Sequence, residues 1–211
     1  MSDVIIYGRT PSTYVRTARM TCSEKGVNHT LELIDLGAEN YAALHPFRKM
    51  PAMRHGDFVL YETAAICRYI DAAFPGPALQ PADLKGRARV DQWLSALSDY
   101  CYQSMIRDVV LPRVVVPMRG GKTDEAQVAA AVPKVERQLT IIDGALRDGA
   151  FLVGDKLTLA DLMLVPLMFY IKSIPEGTGL WPKFPALGRW FDAMAGRPSF
   201  AATMPDFAQA A

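Results

Sequence analysis

Short apolar runs and helices with one apolar face alternate along the first 75 or so residues. Residues 4–7 form a continuous apolar run, which is typical of a buried strand, and residues 30–34 predict a second strand. Between them, the turn chemistry of residues 8–12 leads into a helix over about residues 13–24, and Gly26 follows it where a C-cap glycine is expected. A strand, a helix and a second strand in this order predict a parallel, right-handed crossover unit.

A second group of elements follows a Met-Pro step at residues 50 and 51. The pair Gly56-Asp57 predicts a hairpin turn, and residues 58–61 predict the strand after it. A helix then begins at once, with Thr63 as its predicted N-cap. Its apolar stripe has the spacing of a helix buried on one face and consists of Ile66, Tyr69, Ile70, Ala73 and Phe74.

These elements, with a short helical turn at residues 41–44, have the order β-α-β-α-β-β-α. The closing hairpin should be antiparallel, and the whole predicts a thioredoxin-like α/β domain over residues 1–76. A helix N-terminus directly after a strand is a favourable place for a carboxylate, because its N–H groups are free. The stretch from residue 50 to residue 71 therefore predicts a polar site for an anionic, peptide-like ligand.

The pattern changes to helices alone after the proline-rich residues 77–84, which we interpret as a linker. Long helices are predicted over residues 84–118 and 124–147, with prolines expected to bend or end them. Residues 158–161 have the pattern of a capping box with Asp as the acid, and an apolar, buried helix follows. A further helix is predicted over residues 185–195, so residues 85–211 should form an all-α domain.

Charge and composition narrow the classes of partner. Of the 211 residues, 23 are Lys or Arg and 22 are Asp or Glu, so no electrostatic attraction to nucleic acid or to an anionic membrane is expected. The most apolar run, residues 162–171, is about half of the roughly 20 residues that a membrane span needs. The start of the chain lacks the pattern of a signal peptide.

The cysteines point to a reducing compartment. Cys22, Cys67 and Cys101 are odd in number, widely spaced and without CxxC or metal-ligand spacing. Free thiols of this kind are typical of a cytoplasmic protein, and we expect neither a structural disulfide nor a metal site.

Several separated motifs resemble those of the glutathione transferases. The Met-Pro step before a hairpin, the Glu62-Thr63 pair before a helix, and the Tyr69-Ile70 pair near the end of that helix follow the family's glutathione-binding domain. The capping box at residues 158–161, the helix over residues 185–195 and the run Arg197-Pro198-Ser199 after it are similar to its C-terminal domain. The resemblance runs from about residue 4 to about residue 200, with Met50 and Thr63 in place of the usual Val and Ser.

The resemblance implies a cytosolic glutathione transferase with glutathione as co-substrate and no metal. Such an enzyme must hold the tripeptide and favour its thiolate near neutral pH, which a hydroxyl donating to sulfur achieves. From the residues alone, five hydroxyls in or beside the first loop are candidates: Tyr7, Thr10, Ser12, Thr13 and Tyr14. Ser12 stands four residues before Arg16, as the catalytic serine does in the Ser-type classes (phi, theta and delta, or a bacterial-type relative). A serine here is also a good helix N-cap, and Tyr7 is the Tyr-type alternative.

The resemblance also implies the other site residues. Glu62 and Thr63 would hold the γ-glutamyl end, Met50 before Pro51 would pair its backbone with the cysteinyl unit, and Lys49 would reach the glycine carboxylate. A hydrophobic electrophile pocket is expected between the domains, with Tyr100, Met105 and Ile106 as its candidates. His45, which replaces the family's usual Asn before a Pro-Phe pair, is a possible neighbour of the site or an exposed loop residue.

The expected activity is transfer of the glutathione thiolate to a small hydrophobic electrophile by a homodimer. The same fold and co-substrate also suit a dehalogenase, an isomerase or a peroxidase. A third alternative is a non-catalytic binding protein that uses the fold as a scaffold.

Overall fold

The computed structural model describes residues 4–207, so residues 1–3 and 208–211 of the predicted domains lie outside the described chain. The described residues form two compact units. The first contains the residues up to Leu79 together with those from Arg197 onward, and the second is Gln80–Gly196. The predicted boundaries at residues 76 and 85 stay a prediction.

The first unit is built on a four-stranded sheet with the strand order β2-β1-β3-β4. The strands are β1 (Val4–Gly8), β2 (His29–Leu33), β3 (Ala52–His55) and β4 (Phe58–Tyr61). β1 pairs in parallel with β2 and antiparallel with β3, and β3 pairs antiparallel with β4. Both the parallel crossover and the antiparallel hairpin are as the sequence predicts.

The helices of the first unit are α1 (Thr13–Lys25), α2 (Glu39–Leu44) and α3 (Thr63–Ala73). Gly26 ends α1 with φ of 70°, the left-handed conformation that glycine adopts without steric cost. Alternating side chains of β1 and the inner faces of α1 and α3 form the main hydrophobic core, in which Ile6, Val15 and Ile66 are fully buried. The apolar stripe of the third helix therefore faces the sheet, as its spacing predicts.

A buried lysine of α1, Lys25, binds the segment that follows α3. The Nζ of Lys25 lies 3.1 Å from Asp71 and donates a 3.0 Å hydrogen bond to the carbonyl of Pro77. Asp71 in turn accepts a 2.9 Å hydrogen bond from the N–H of Leu79. Pairing satisfies the buried ammonium and carboxylate, which burial alone would strongly disfavour.

Residues from Arg197 onward pack against α1, although they follow the whole second unit in the chain. Their helix, α10 (Pro198–Ala202), places the ring of Phe200 4.3 Å from the guanidinium carbon of Arg16. Arg16 is almost fully buried and donates to the carbonyl of Phe200 at 3.2 Å and to Thr203 Oγ1 at 3.4 Å. Arg16 thus has a structural role in the first unit.

The second unit is helical throughout its regular elements. A long rod is formed by α4 (Leu84–Ala96), a π-helical segment (Leu97–Val115) and α5 (Val116–Met118), so the chain stays helical through Pro112. The remaining elements are α6 (Glu125–Ala145), α7 (Leu159–Lys172), α8 (Pro175–Leu180), a 3₁₀ turn (Trp181–Lys183) and α9 (Pro185–Ala195). The π-helical segment packs on α6 and α7.

The core of the second unit is organised by α7, which is buried along nearly its whole length. Asp161 in its first turn is fully buried and accepts hydrogen bonds from the N–H and hydroxyl of Thr158, at 3.0 Å and 2.8 Å. It also accepts from the N–H of Leu152 at 2.9 Å and from Trp190 Nε1 at 3.1 Å. One carboxylate therefore joins the start of α7 to the preceding loop and to α9.

Among residues 4–207, no helix is both long enough and apolar enough to cross a lipid bilayer.

Candidate functional site

Strand register brings the predicted glutathione-binding segments to one edge of the sheet. Tyr7 of β1 lies opposite Ala52 of β3, and Ala52 lies opposite Tyr61 of β4. Because β3 runs against both neighbours, the end of β1, the start of β3 and the end of β4 meet at this edge. The loop to Ser12, the Met50-Pro51 step and the Glu62-Thr63 pair continue from these three strand ends.

Ser12 is the N-cap of α1. Its side-chain oxygen accepts a 3.4 Å hydrogen bond from the N–H of Val15, so the helix-capping interpretation of this serine is correct. The hydroxyl is half-buried, and its hydrogen has no acceptor among residues 4–207. Ser12 thus keeps a donor at the positive end of a helix dipole, an arrangement that favours an anion.

Two of the other hydroxyls near this loop have different surroundings. Thr10 is nearly buried, and its hydroxyl donates to the carbonyl of Asp206 at 3.1 Å while accepting from the N–H of Asp206 at 3.0 Å. Tyr7 is buried in a cluster with Ile34 and Tyr41, and burial raises the pKa of its phenol, with Glu32 acting in the same direction. Ser12 differs from Thr10 and Tyr7 because it combines an uncommitted hydrogen with a position at a helix N-terminus.

The Met50-Pro51 peptide bond is cis. Pro51 is buried and Met50 half-buried, whereas the side chain of Lys49 is exposed. The hydroxyl of Tyr41 donates a 2.6 Å hydrogen bond to the carbonyl of Lys49, which ties this segment to α2.

Glu62 and Thr63 differ in one respect from the sequence prediction. The sequence predicts Thr63 as the N-cap of α3, but Thr63 is the first helical residue and Glu62 is the N-cap, with no side-chain hydrogen bond to the helix. The prediction failed because the cap has an unusual backbone: φ is 73° and ψ is 118° at Glu62, a region that favours glycine. Such strain is stored preferentially at functional sites.

The start of α3 thereby keeps features that suit a carboxylate. Since the side chain of Glu62 makes no cap hydrogen bond, the first N–H groups of the helix are available to bind an anion. Thr63 is almost buried at this position, and Glu62 is exposed. The helix is eleven residues long, so its dipole is substantial.

His45 is buried in the structure, whereas the sequence leaves open a neighbour of the site or an exposed loop residue. The residue follows α2 and is only 2% exposed, with its ring centroid 4.9 Å from that of Tyr61 and 6.4 Å from that of Tyr41. Burial lowers the pKa of its imidazole, Glu62 and its own backbone raise it, and Lys49 lowers it. Loop histidines are commonly exposed, so the sequence alone left its role open.

The three candidates for the electrophile pocket lie in the π-helical segment of the second unit. Tyr100 is 68% exposed, whereas Met105 and Ile106 are buried. Tyr100 is therefore the one of the three that solvent reaches readily. Their assignment to a substrate pocket stays a prediction.

The cysteines are free and buried. Burial raises the pKa of Cys101 and of Cys67 to about 12, and it also raises that of Cys22. These thiols are protonated near neutral pH, so they have little nucleophilic character. Within residues 4–207 no group of three or more His, Cys, Asp or Glu side chains is arranged to hold a metal ion.

Comparison with protein families matches both units. The N-terminal domain of glutathione S-transferases matches residues 6–78, and the C-terminal domain of the same family matches residues 103–198. The chain is 30% identical over 211 residues to glutathione S-transferase 3 of Zea mays, with 97% of this chain and 94% of the relative covered. It is 29% identical to glutathione S-transferase F12 of Arabidopsis thaliana, with 93% and 95% covered.

Solved structures agree with these relationships. The apo form of glutathione S-transferase III is similar with a TM-score of 0.87 and 31% identity, over 96% of this chain and 95% of that one. A theta-class glutathione S-transferase of Xanthomonas axonopodis pv. citri with glutathione bound is similar with a TM-score of 0.84 and 28% identity, over 97% and 98%. The predicted two-domain architecture and the family resemblance are confirmed, and the chain belongs to the glutathione S-transferase family.

Proposed function

We propose that this chain transfers the thiolate of glutathione to a small hydrophobic electrophile, with Ser12 as the residue that stabilises the thiolate. Family membership supports the reaction class. The observation that carries the role of Ser12 is its hydroxyl, which keeps a free hydrogen where three strand ends meet. The thiol gives its proton to solvent, and the thiolate sulfur forms a bond to the electrophilic carbon. In a substitution the leaving group departs with the electron pair of its bond to that carbon. In an addition the multiple bond or ring at that carbon opens, and the atom that receives the electron pair takes a proton from solvent.

Ser12 would act on the acidity of the thiol. A free thiol has a pKa near 8.5, so most of it is protonated at neutral pH. A hydrogen bond from Ser12 and the positive end of α1 both favour the charged sulfur. Each unit by which the pKa falls corresponds to about 1.4 kcal/mol of preferential stabilisation of the thiolate.

The remaining contacts would hold the tripeptide. We assign the γ-glutamyl carboxylate to the hydroxyl and N–H of Thr63, since the start of α3 lacks a side-chain cap. Glu62 would pair with the γ-glutamyl ammonium. The backbone of Met50, held by the Met50-Pro51 bond, would pair with the cysteinyl unit, and the exposed Lys49 would bind the glycine carboxylate.

The electrophile would contact Tyr100, with Met105 and Ile106 shaping the wall behind it. An apolar, adaptable lining suits small hydrophobic compounds. A homodimer is proposed from the family, and a cytoplasmic location from the three free thiols. The proposal includes neither a nucleic acid nor a membrane as partner, in keeping with the near balance of charge.

The test is the activity of Ser12→Ala with glutathione and 1-chloro-2,4-dinitrobenzene. Loss of one preorganised donor to a developing charge typically costs on the order of a hundredfold in turnover, and we expect a fall of that size. The pKa of bound glutathione, followed by thiolate absorbance, should rise. Tyr7→Phe is the matched control and should keep near-normal turnover, since Tyr7 lies in the core. A fully active Ser12→Ala with an inactive Tyr7→Phe would overturn the assignment.

The same preparation separates catalysis from binding alone. Retention on immobilised glutathione together with turnover supports the transferase. Retention without turnover of a panel of aryl halides, epoxides and peroxides would instead support a binding protein.

A further inference from the structure

His45 lies between the two chain segments to which we assign glutathione binding. Its ring centroid is 4.9 Å from that of Tyr61, the residue directly before Glu62. On the other side, its ring is 6.4 Å from that of Tyr41, whose hydroxyl binds the carbonyl of Lys49. Phe47 closes the group, with its ring 6.4 Å from that of His45 and 6.1 Å from that of Tyr61.

Within residues 4–207, one nitrogen of the buried imidazole has no hydrogen-bond partner. His45 is 2% exposed, and its Nδ1 is buried with no hydrogen-bond partner among residues 4–207. Buried polar atoms in folded proteins are nearly always hydrogen-bonded, so an exception needs a reason. By contrast, Nδ1 of His55 in the same unit makes a 2.8 Å hydrogen bond with the hydroxyl of Tyr69. Among residues 4–207, the ring of His45 thus contacts three aromatic rings, and its Nδ1 adds no hydrogen bond to these contacts.

A charge on this ring would act on both binding segments. The groups that influence it electrostatically are Glu62 at the start of α3 and Lys49 in its own loop, and the aromatic side chains around it are those of Tyr41, Tyr61 and Phe47. Protonation would place a cation among these rings, where desolvation disfavours it. It would also draw Glu62 toward the ring and repel Lys49.

We propose that His45 is a positioning residue for glutathione, which in its neutral form holds the segment of Lys49 and Met50 against the segment of Tyr61 and Glu62. Protonation of His45 weakens the binding of the tripeptide by disturbing both segments. The inference rests on the proposed function, because the two segments are those assigned to glutathione.

The direction of the pH effect follows from the environment of the ring. Burial lowers the pKa of His45 below the value of about 6.5 in an unfolded chain, although Glu62 opposes this. The neutral ring, to which we assign the bound arrangement, is therefore the main form of His45 in the folded protein above about pH 6.5. This form is lost as the pH falls through the folded pKa.

The experiment measures the dissociation constant of S-hexylglutathione by calorimetry at about pH 7.5 and about pH 5.5. This probe has no thiol, so its affinity does not follow thiolate formation. Its carboxylates and ammonium also keep their charge over this range. For the unaltered protein we expect affinity to fall by roughly three- to tenfold at the lower pH.

Two variants at position 45 assign the effect. His45→Phe keeps an aromatic ring and cannot titrate, so its affinity should be nearly the same at both pH values. His45→Asn removes both the ring and the charge, and should bind more weakly at pH 7.5 without a further loss. His55→Asn is the control and should retain the full pH dependence, because His55 lies at the other end of the hairpin strands.

The outcomes separate this inference from the proposed function. A pH-independent affinity in the unaltered protein, or a His45→Phe that still loses affinity at low pH, overturns the role of His45 and leaves the transferase intact. Absence of S-hexylglutathione binding at pH 7.5 overturns the proposed function itself, and the role of His45 with it.

Discussion

Arg197 binds Glu24 through two hydrogen bonds of 2.7 Å, one from Nε and one from Nη2. The hydroxyl of Ser199 donates to the same carboxylate. Glu24 lies in the last turn of α1, and Arg197 directly precedes α10. The pair joins residues from the two parts of the chain that make up the first unit. Bidentate pairs of this geometry are among the stronger charge-assisted contacts in proteins.

The Glu24 pair should make stability depend on acid pH. Burial raises the pKa of Glu24, but hydrogen bonds from Arg197 and Ser199 and the charge of Arg197 outweigh it, so the net shift is downward. The pair therefore stabilises the fold above the unfolded pKa of about 4.3, and this is lost as pH falls through the folded pKa. We expect Glu24→Gln to lower the free energy of unfolding by about 1–3 kcal/mol at pH 7. Urea denaturation should show a smaller difference near pH 4.

Asp192→Asn is the matched control, because its partner Lys172 is 3.3 Å away and both side chains are well exposed. Exposed pairs contribute at most about 1 kcal/mol, and a change near zero is expected. An equal loss in both variants would show that the geometry around Glu24 is not special.

The backbone conformation of Glu62 should lower the stability of the fold, whereas its carboxylate should support glutathione binding. Its φ of 73° is strained for a residue with a side chain, at an expected cost on the order of 1–3 kcal/mol. Glu62→Gly relieves the strain and should raise the free energy of unfolding by about 1 kcal/mol relative to Glu62→Ala, which keeps it. Both variants lack the carboxylate and should raise the KM for glutathione. Urea denaturation and steady-state kinetics measure the two effects, and equal stability of the two variants would contradict the strain.

Asp161 should be needed for folding and not for chemistry. Asp161→Asn replaces one acceptor oxygen with an NH₂ group, which faces donors from Leu152, Thr158 or Trp190. A mismatch of this kind in a fully buried site should cost about 3 kcal/mol or more. Asp155→Asn, at an exposed position nearby, should change stability by less than about 0.5 kcal/mol. A variant at position 161 that folds with normal stability but lacks activity would refute this.

Substitutions of Tyr100 and Met105 should have different effects, the first on substrate binding and the second on the stability of the fold. Met105 is fully buried, so Met105→Ala should lower the free energy of unfolding by about 2–5 kcal/mol. Tyr100 is mostly exposed, and Tyr100→Ala should stay within about 0.5 kcal/mol of the unaltered protein while raising the KM for an aryl halide. An unchanged KM for several electrophiles would remove Tyr100 from the proposed pocket.

Local patterns were sufficient to predict most of the elements. Gly26 ends α1 and Thr158 begins α7 through contacts within a few residues, which the sequence displays directly. The stripe of α3 predicts its buried face because helical spacing alone decides which side chains share a side. The strand order explains why three site residues lie at one edge of the sheet: Ser12, Met50 and Glu62.

Contacts between distant parts of the chain, and strained backbone conformations, could not be predicted from local sequence patterns. The packing of Phe200 on Arg16 joins positions far apart in the chain, and no local pattern specifies it. The cap of α3 lies at Glu62 because the surrounding fold holds a strained backbone there, whereas capping preferences favour Thr63. The burial of His45 depends on rings from α2 and β4, and its own neighbours in sequence suggested an exposed loop.

The bond between Thr10 and Asp206 has a consequence for the order of biosynthesis. Thr10 lies beside Ser12 in a loop that is made early, yet its hydroxyl is satisfied by backbone that leaves the ribosome after all of the second unit. The first unit therefore completes its packing only after the residues from Arg197 to Asp206 have left the ribosome. Removing the residues from Arg197 onward would take away the backbone partner of Thr10, and with it a contact that holds the loop of Ser12.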